Sequence, residues 1–256
     1  MVEDRQRVLV TAGAAGIGLA VAARFLAAGA RVFVCDIDEG AMETAKSTHS
    51  GLSAALCDVA DPDQVANLFK TLNDDMGGLD VLVNNAGIGG GEAAIEDIDT
   101  ETWRRTIDVN LNGMFYCLAA AVPAMKAQAS GVIINISTAS VRTGLPGRTP
   151  YVASKQGVMG LTLNAARELG PHNIRCNAIL PGLIDNARGR AVVAGRAEAL
   201  GINEREAEQQ YLSYISMRCW IDPAEVGDLA VFLASHQARH ISGQSIAVDG
   251  HMEWES

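Results

Sequence analysis

Basic residues are in short supply in this chain: 20 Lys and Arg stand against 30 Asp and Glu, a formal net charge of -10. The isoelectric point falls near 4.9. Nucleic acid and anionic membrane would both be repelled by such a surface, so neither is expected as a partner. No uncharged apolar run reaches the roughly 18 residues that a membrane-spanning helix needs. The stretch Met1 to Arg7 is charged and leads straight into a strand-like run, so it does not read as a secretory leader. Cysteine is sparse as well. Cys35, Cys57, Cys117, Cys176 and Cys219 are odd in number, widely spaced and free of any C-x-x-C pattern. They read as reduced, mostly buried thiols of a cytoplasmic protein. His49, His172, His236 and His240 have no metal-ligand spacing, and no metal is expected. Repeats, low-complexity tracts and linker-like composition shifts are missing too. The 256 residues, 48% of them hydrophobic, are therefore expected to bury one core as a single domain, 1–256.

What is present is an alternation of short apolar runs with helical stretches, the signature of βαβ units. Arg7 to Ala12, Arg31 to Cys35, Leu52 to Cys57, Leu79 to Val83, Gly131 to Ile136, Asn173 to Ile179 and Gln244 to Val248 read as strands. Helices are expected near Gly16–Ala28, Glu39–Ser47, Pro62–Asp75, Thr100–Gln128, Tyr151–Leu169 and Pro223–Ala234. The fold class is α/β: a doubly wound, seven-stranded parallel sheet with helices on both faces. Leu183 to Met217 is the one long irregular piece and the most charged, and segments of that kind tend to be functional lids.

The first strand runs into Thr11-Ala-Gly13-Ala-Ala-Gly16-Ile17-Gly18 and then a helix, which together form a dinucleotide site. Gly13 allows a tight turn, Gly16 lets backbone amides approach a pyrophosphate, and Gly18 permits close helix–sheet packing. About twenty residues on, Asp36, followed by Ile37, ends the second strand with a carboxylate placed for ribose hydroxyls. A 2′-phosphate would be repelled there, and Ala14 and Ala15 supply no compensating cation, so NAD is favoured over NADP. Asp36 could instead be a solvated turn residue, as Asp38 is expected to be. Asp58, followed by Val59, closes the third strand with a carboxylate for an adenine amino group or as a neighbour of a helix cap. Asn84-Asn85-Ala86-Gly87 closes the fourth with small residues that let a sugar approach.

Tyr151 and Lys155 stand four residues apart on one face of a helix. A phenol titrating near ~10 is a poor base at neutral pH, and an ammonium about 5–6 Å away favours the phenolate. Taken alone, such a pair is usually a surface accident. A dinucleotide site upstream of it gives the proton a hydride to be coupled to.

These residues in this order resemble the short-chain dehydrogenase/reductase family in its compact form of about 250 residues, over Arg7 to Gly250. The resemblance implies a Rossmann fold and a homotetramer. It also implies a catalytic set: Tyr151 as proton donor or acceptor, Lys155 on the nicotinamide ribose, and Asn110 as anchor of a water relay. Pro181, Gly182 and Ile184 would border the nicotinamide. Three positions depart from the family pattern. Thr138 stands where a serine hydroxyl is usual, with Ser140 as rival and Ser137 expected to face away. Ala12 replaces the first glycine of the turn, its freedom expected to pass to Gly13. Asn186 replaces a threonine. The expected reaction interconverts a secondary alcohol and a ketone with NAD, on a small polar hydroxy compound. Reduction of a 3-oxoacyl thioester and a non-catalytic NAD-binding module are the alternatives. Arg142, Arg148, Arg188, Arg190 and Arg196 either meet a polar or anionic substrate, or pair with Glu198, Glu204, Glu206 and Glu208 or face water. The tail from His251, with Trp254, either reaches a neighbouring subunit or covers the core edge.

Overall fold

The computed structural model describes residues 5–253. Among them the strands β1 (Arg7–Thr11), β2 (Arg31–Asp36), β3 (Leu52–Leu56), β4 (Val81–Asn84), β5 (Gly131–Ile136), β6 (Ile174–Pro181) and β7 (Ser245–Val248) form one sheet. Their spatial order is β3-β2-β1-β4-β5-β6-β7, and every pairing is parallel. The chain reverses direction across the sheet between β1 and β4, which opens a crevice at the strands' carboxyl ends.

Helices cover both faces: α1 (Gly16–Ala27), α2 (Glu39–Thr48), α3 (Pro62–Met76), α4 (Thr100–Ile107), α5 (Gly113–Ala127), α6 (Thr149–Leu169), α7 (Ala187–Leu200), α8 (Glu204–Ser213) and α9 (Pro223–Ala234). Strand alternation divides the core in two. Val8 and Val10 of β1 pack with Val21, Phe25, Val226 and Leu233 of α1 and α9. Leu9, between them, turns to the other face and meets Leu68, Leu72, Cys117 and Met125 of α3 and α5. The strands are apolar on both sides because both sides are covered.

Two expectations change. Leu183 to Met217 is not irregular, since it holds α7 and α8, with Asn186 and Asn203 capping them through Gly189 N–H (2.8 Å) and Glu206 N–H (3.0 Å). Gly201, at φ +65°, ends α7 in the left-handed conformation. The helix expected over Thr100–Gln128 is interrupted by one widened turn, Asp108–Asn112, in which the Gly113 N–H reaches back five residues to the Asp108 carbonyl. Cys35, Cys57, Cys117 and Cys176 are buried and Cys219 is partly so, all as free thiols. No helix of the described residues is long and apolar enough to cross a membrane. Trp254 lies outside the described residues.

Candidate active site

The turn after β1 sets the first wall of the crevice. Ala12, not Gly13, takes the left-handed backbone there, at φ +48°. Gly13 is required for a different reason: a Cβ on it would lie 2.5 Å from Val34 Cγ1. The expectation that Gly13 would absorb the turn is thus corrected: Ala12 itself takes the left-handed conformation, and Gly13 makes room for β2. Gly16 is left-handed at φ +54°, and a Cβ on Gly18 would collide with the Ala12 carbonyl. Ala15 precedes α1 without any side-chain cap, so the first N–H groups of the helix stay open to an anion such as a pyrophosphate.

Asp36 ties this turn to β2. Its Oδ2 accepts the Ala14 N–H at 3.2 Å, and its Oδ1 accepts the N–H groups of Ile37 (2.8 Å) and Asp38 (3.3 Å). Ile37 is exposed beside it. Asp38 caps α2 through Ala41. Asp58 keeps Arg105 at 2.8 Å and accepts the Ala60 N–H, while Val59 is buried against Gly113. Asn85 holds the protein rather than facing the crevice: its amide donates to the carbonyls of Thr11 (3.0 Å) and Ala12 (3.1 Å). Thr11 Oγ1 in turn accepts the N–H groups of Asn85 and Ala86. Ala86 is buried, and Gly87 faces both Lys155 and Asn110, whose Nζ and Oδ1 would lie 3.2 and 3.3 Å from any Cβ added there. A side chain at position 87 would fill the space where these two groups converge.

Lys155 is only 3% exposed, and its ammonium donates to the Ile136 carbonyl at 2.8 Å. Burial, with added repulsion from Arg188, lowers its pKa to about 7. Asn110 sits in the widened turn, fully buried. Its side chain accepts the Ile88 N–H (2.7 Å) and donates to the Ile88 carbonyl and to Ser154 Oγ (3.0 Å each). Asn110 is therefore a clamp between the β4 loop and α6.

A cleft of about 470 Å³ opens beside these groups, lined by Ile17, Thr138, Ser140, Tyr151, Pro181 and Gly182 among others. Ile184 and Asn186 border it too. Thr138 is extended, and Ser140 follows in a short helical turn, so the two hydroxyls lie 3.4 Å apart and both face the cleft. Ser137 borders the cleft, but its hydroxyl donates to the Lys155 carbonyl at 3.1 Å. Asn186 combines two positions: its Oδ1 caps α7, and its Nδ2 lies 3.7 Å from where a Gly16 Cβ would stand.

The arginines divide. Arg142 stands 3.5 Å from Asp249, a charge contact too long for a good hydrogen bond, and Arg190 pairs with Asp185 and Glu208. Arg148, Arg188 and Arg196 line the cleft. Sequence reading passed over the cleft walls made by Glu92 and Met252, and Tyr211, one of the scattered apolar residues of 183–217, lines the cleft as well. Met252 is held there by a strand-like bridge to Ile215, a pairing that carries no local signal.

Residues 12–252 match a family model described as enoyl-(acyl carrier protein) reductase. The chain is 37% identical over 249 residues to the 3-oxoacyl-(acyl-carrier-protein) reductase FabG of Staphylococcus aureus, covering 95% of this chain and 96% of that protein. It is 38% identical over 263 residues to a trans-4-hydroxycyclohexanecarboxylate dehydrogenase of Sinomonas cyclohexanicum, covering 97% and 94%. Its fold superposes on NAD+-bound xylitol dehydrogenase with a TM-score of 0.91 at 28% identity, over 97% of this chain and 99% of that one. The glycine turn, the buried Lys155 and the hydroxyls around Tyr151 thus belong to an oxidoreductase of the short-chain dehydrogenase/reductase family, which binds a nicotinamide cofactor.

Proposed function

We propose that this protein is an NAD-dependent oxidoreductase interconverting a secondary alcohol and a ketone on a small polar hydroxy compound. One observation carries the reading: Tyr151, Thr138 and Ser140 line one cleft with Ile17, which follows the glycine turn that Asp36 holds through Ala14. The open N–H groups of α1 and the spaces kept clear by Gly16 and Gly87 fit a dinucleotide, and Gly18 lets α1 pack against the turn. Asp36 would meet the adenosine ribose, Asp58 the adenine end, and Ile17, Pro181, Gly182 and Ile184 the nicotinamide end. When bound, the nicotinamide takes or gives hydride.

The chain's own residues do the rest. Thr138, or Ser140 beside it, donates a hydrogen bond to the substrate oxygen and orients the carbinol carbon. Tyr151 takes the hydroxyl proton in oxidation and returns it in reduction. Lys155 sits behind Gly87 to hold a ribose hydroxyl, and Asn110 fixes the loop that carries Gly87. Tyr151→Phe should leave cofactor binding by calorimetry near wild type while turnover falls about 10²-fold or more. Retention of more than a tenth of the wild-type rate would remove Tyr151 from this role.

Absorbance at the reduced-nicotinamide band, with sugars, polyols, hydroxy acids and aryl alcohols offered beside NAD or NADP, tests the whole reading. A rise with NAD supports it, and a rise with NADP alone refutes the cofactor assignment. The similarity to a 3-oxoacyl-(acyl-carrier-protein) reductase favours thioester reduction as the second reading. Asp36 argues against it through its repulsion of NADPH. We also propose a homotetramer in the cytoplasm. The exposed Phe115 of α5 and Leu163 of α6 offer apolar surface for the assembly, and light scattering reads its size.

A further inference from the structure

α7 places three cleft residues in one row: Arg188, Val192 and Arg196 are four apart and all face the cavity. The charge pattern of the row is unusual. Arg190, on the same helix, is neutralised by Asp185 and Glu208 and stacks on Trp220 at 4.0 Å. Arg188 has no carboxylate partner among the described residues; it donates to the Gly87 carbonyl at 3.1 Å and lies 6.0 Å from the Tyr151 ring centre. Arg196 has none either. Arg148 comes from the turn before α6, and its Nη1 and the Nη2 of Arg188 lie 3.1 and 3.3 Å from one point above Gly89. Arg196 lines the same cleft about two turns along α7 from Arg188, so the three guanidinium groups border one cavity.

Glu92 is the acid of this cluster, and it pairs with Arg148 at 3.1 Å. Three cations face one anion in a protein whose net charge is -10. Cations crowded in a cleft without matching anions repel one another, and a ligand anion relieves that repulsion. The place is the reacting end of the cleft, because Arg188 touches the Gly87 loop and overlooks Tyr151. Arg188 and Arg148 approach with fork-shaped donors suited to two oxygens of one planar group. Glu92 beside Arg148 would oppose a phosphate dianion and leaves room for a monoanion.

We propose that the substrate is a short hydroxy acid whose carboxylate is bound by Arg188 and Arg148, with Arg196 behind them, and that the product is the corresponding oxo acid. This rests on the oxidoreductase reading above. In the reaction the carbinol C–H leaves as hydride to oxidised nicotinamide, the O–H proton passes to Tyr151, and the C=O bond forms. The carboxylate takes no part in these steps. The distance from Arg188 to Tyr151 limits it to a few carbon–carbon bonds from the carbinol.

The test compares secondary hydroxy acids of three to six carbons with their primary amides, which keep shape and lose charge. In the wild-type enzyme kcat/KM for the best acid should exceed that of its amide by about 30-fold or more, the range of charge-assisted hydrogen bonds. Arg188→Met should collapse that ratio to about threefold or less. Arg188→Lys, which keeps the charge and loses the fork, should fall between and serves if the Met variant melts early. A wild-type ratio near one, a ratio unmoved in both variants, or a phosphate ester preferred over the acid would each overturn the proposal. Binding is read separately, by calorimetry with pentanoate and pentanamide on the protein without cofactor. Preference for pentanoate, lost in Arg188→Met, upholds the anion site even if no alcohol is turned over, in which case the oxidoreductase reading fails alone. Equal binding of the two probes overturns the anion site.

Discussion

At the scale of single residues, two positions carry a cost that function explains. Ala12 holds φ +48°, a conformation that costs an L-residue roughly 1–2 kcal/mol. Ala12→Gly should therefore stabilise the protein by up to about 1 kcal/mol, seen as a melting temperature about 2–4 °C higher. A lower melting temperature would mean that the Ala12 methyl packs more favourably than its backbone suffers. Lys155 is the second position. Its pKa of about 7 in the folded protein lies below its ordinary value of 10.5. Between these two pH values the unfolded chain binds more protons than the folded one, so this group makes stability rise with pH. Below 7 both states are protonated, and the full cost of a buried ammonium is present. Lys155→Met removes that cost. Relative to wild type it should gain about 2–3 kcal/mol more at pH 6 than at pH 9 in urea unfolding. An equal gap at both pH values would show that the ammonium is not desolvated. Near neutral pH, then, burial works against the charge that the Tyr151–Lys155 spacing promised, which no spacing could have told.

Among elements, the α7–α8 segment is where sequence reading fell short. Its two helices mix Arg, Glu and Ala with few apolar residues, and their buried faces reduce to Val193, Ala197 and Ala207. Periodicity had little to register. The punctuation was nevertheless there: Asn186, Asn203 and the glycine at 201 are cap residues by type. Asn186→Ala should loosen α7 by about 1 kcal/mol, so its first-turn amides should exchange about fivefold faster while those of β5 do not change. Uniform exchange would mean that α7 is held by the cluster of Leu183, Ile215 and Met252 rather than by its cap. The sheet was far more legible. Six of the seven strands end at, or within two residues of, a glycine, an Asn or an Asp, β5 with Ser137 after it being the exception, and burial on both faces makes the apolar runs easy to see. Strand ends shifted by a residue or two, as with β4, where Leu79 and Asp80 precede the ladder and Asn84 extends it. The widened turn at Asp108–Asn112 left no trace, because its extra residue is set by how Asn110 clamps Ile88 and Ser154. The placing of Tyr151 and Lys155 on one face was legible because a four-residue helical step fixes it, whereas Thr138 was singled out by the family resemblance and not by its strand. The arginines were not, since pairing with near acids and facing the cleft look alike in one dimension; only the fold separates Arg190 from Arg188.

The whole molecule joins two chemistries along one crevice: a carboxylate at the β2 end and a cluster of guanidinium groups at the α7 end. These ends are far apart in sequence and are brought onto one edge by the parallel winding of the sheet. Under the proposed NAD reading Asp36 has two duties there, since its Oδ2 also anchors the glycine turn through the Ala14 N–H. A change of cofactor preference should therefore cost stability. Asp36→Ala combined with Ala14→Arg removes the repulsion of a 2′-phosphate and adds a cation beside it. We expect kcat/KM with NAD to fall at least about tenfold and with NADP to rise by a similar factor, each tenfold being about 1.4 kcal/mol. The lost anchor should lower the melting temperature of both Asp36→Ala and the double variant, and Ala14→Arg alone should keep it. If the double variant prefers NAD as strongly as wild type does, Asp36 is a turn anchor and nothing more, and cofactor choice must come from elsewhere along the crevice. If preference reverses while stability holds, the hydrogen bond to Ala14 is dispensable and recognition is the sole duty of that carboxylate.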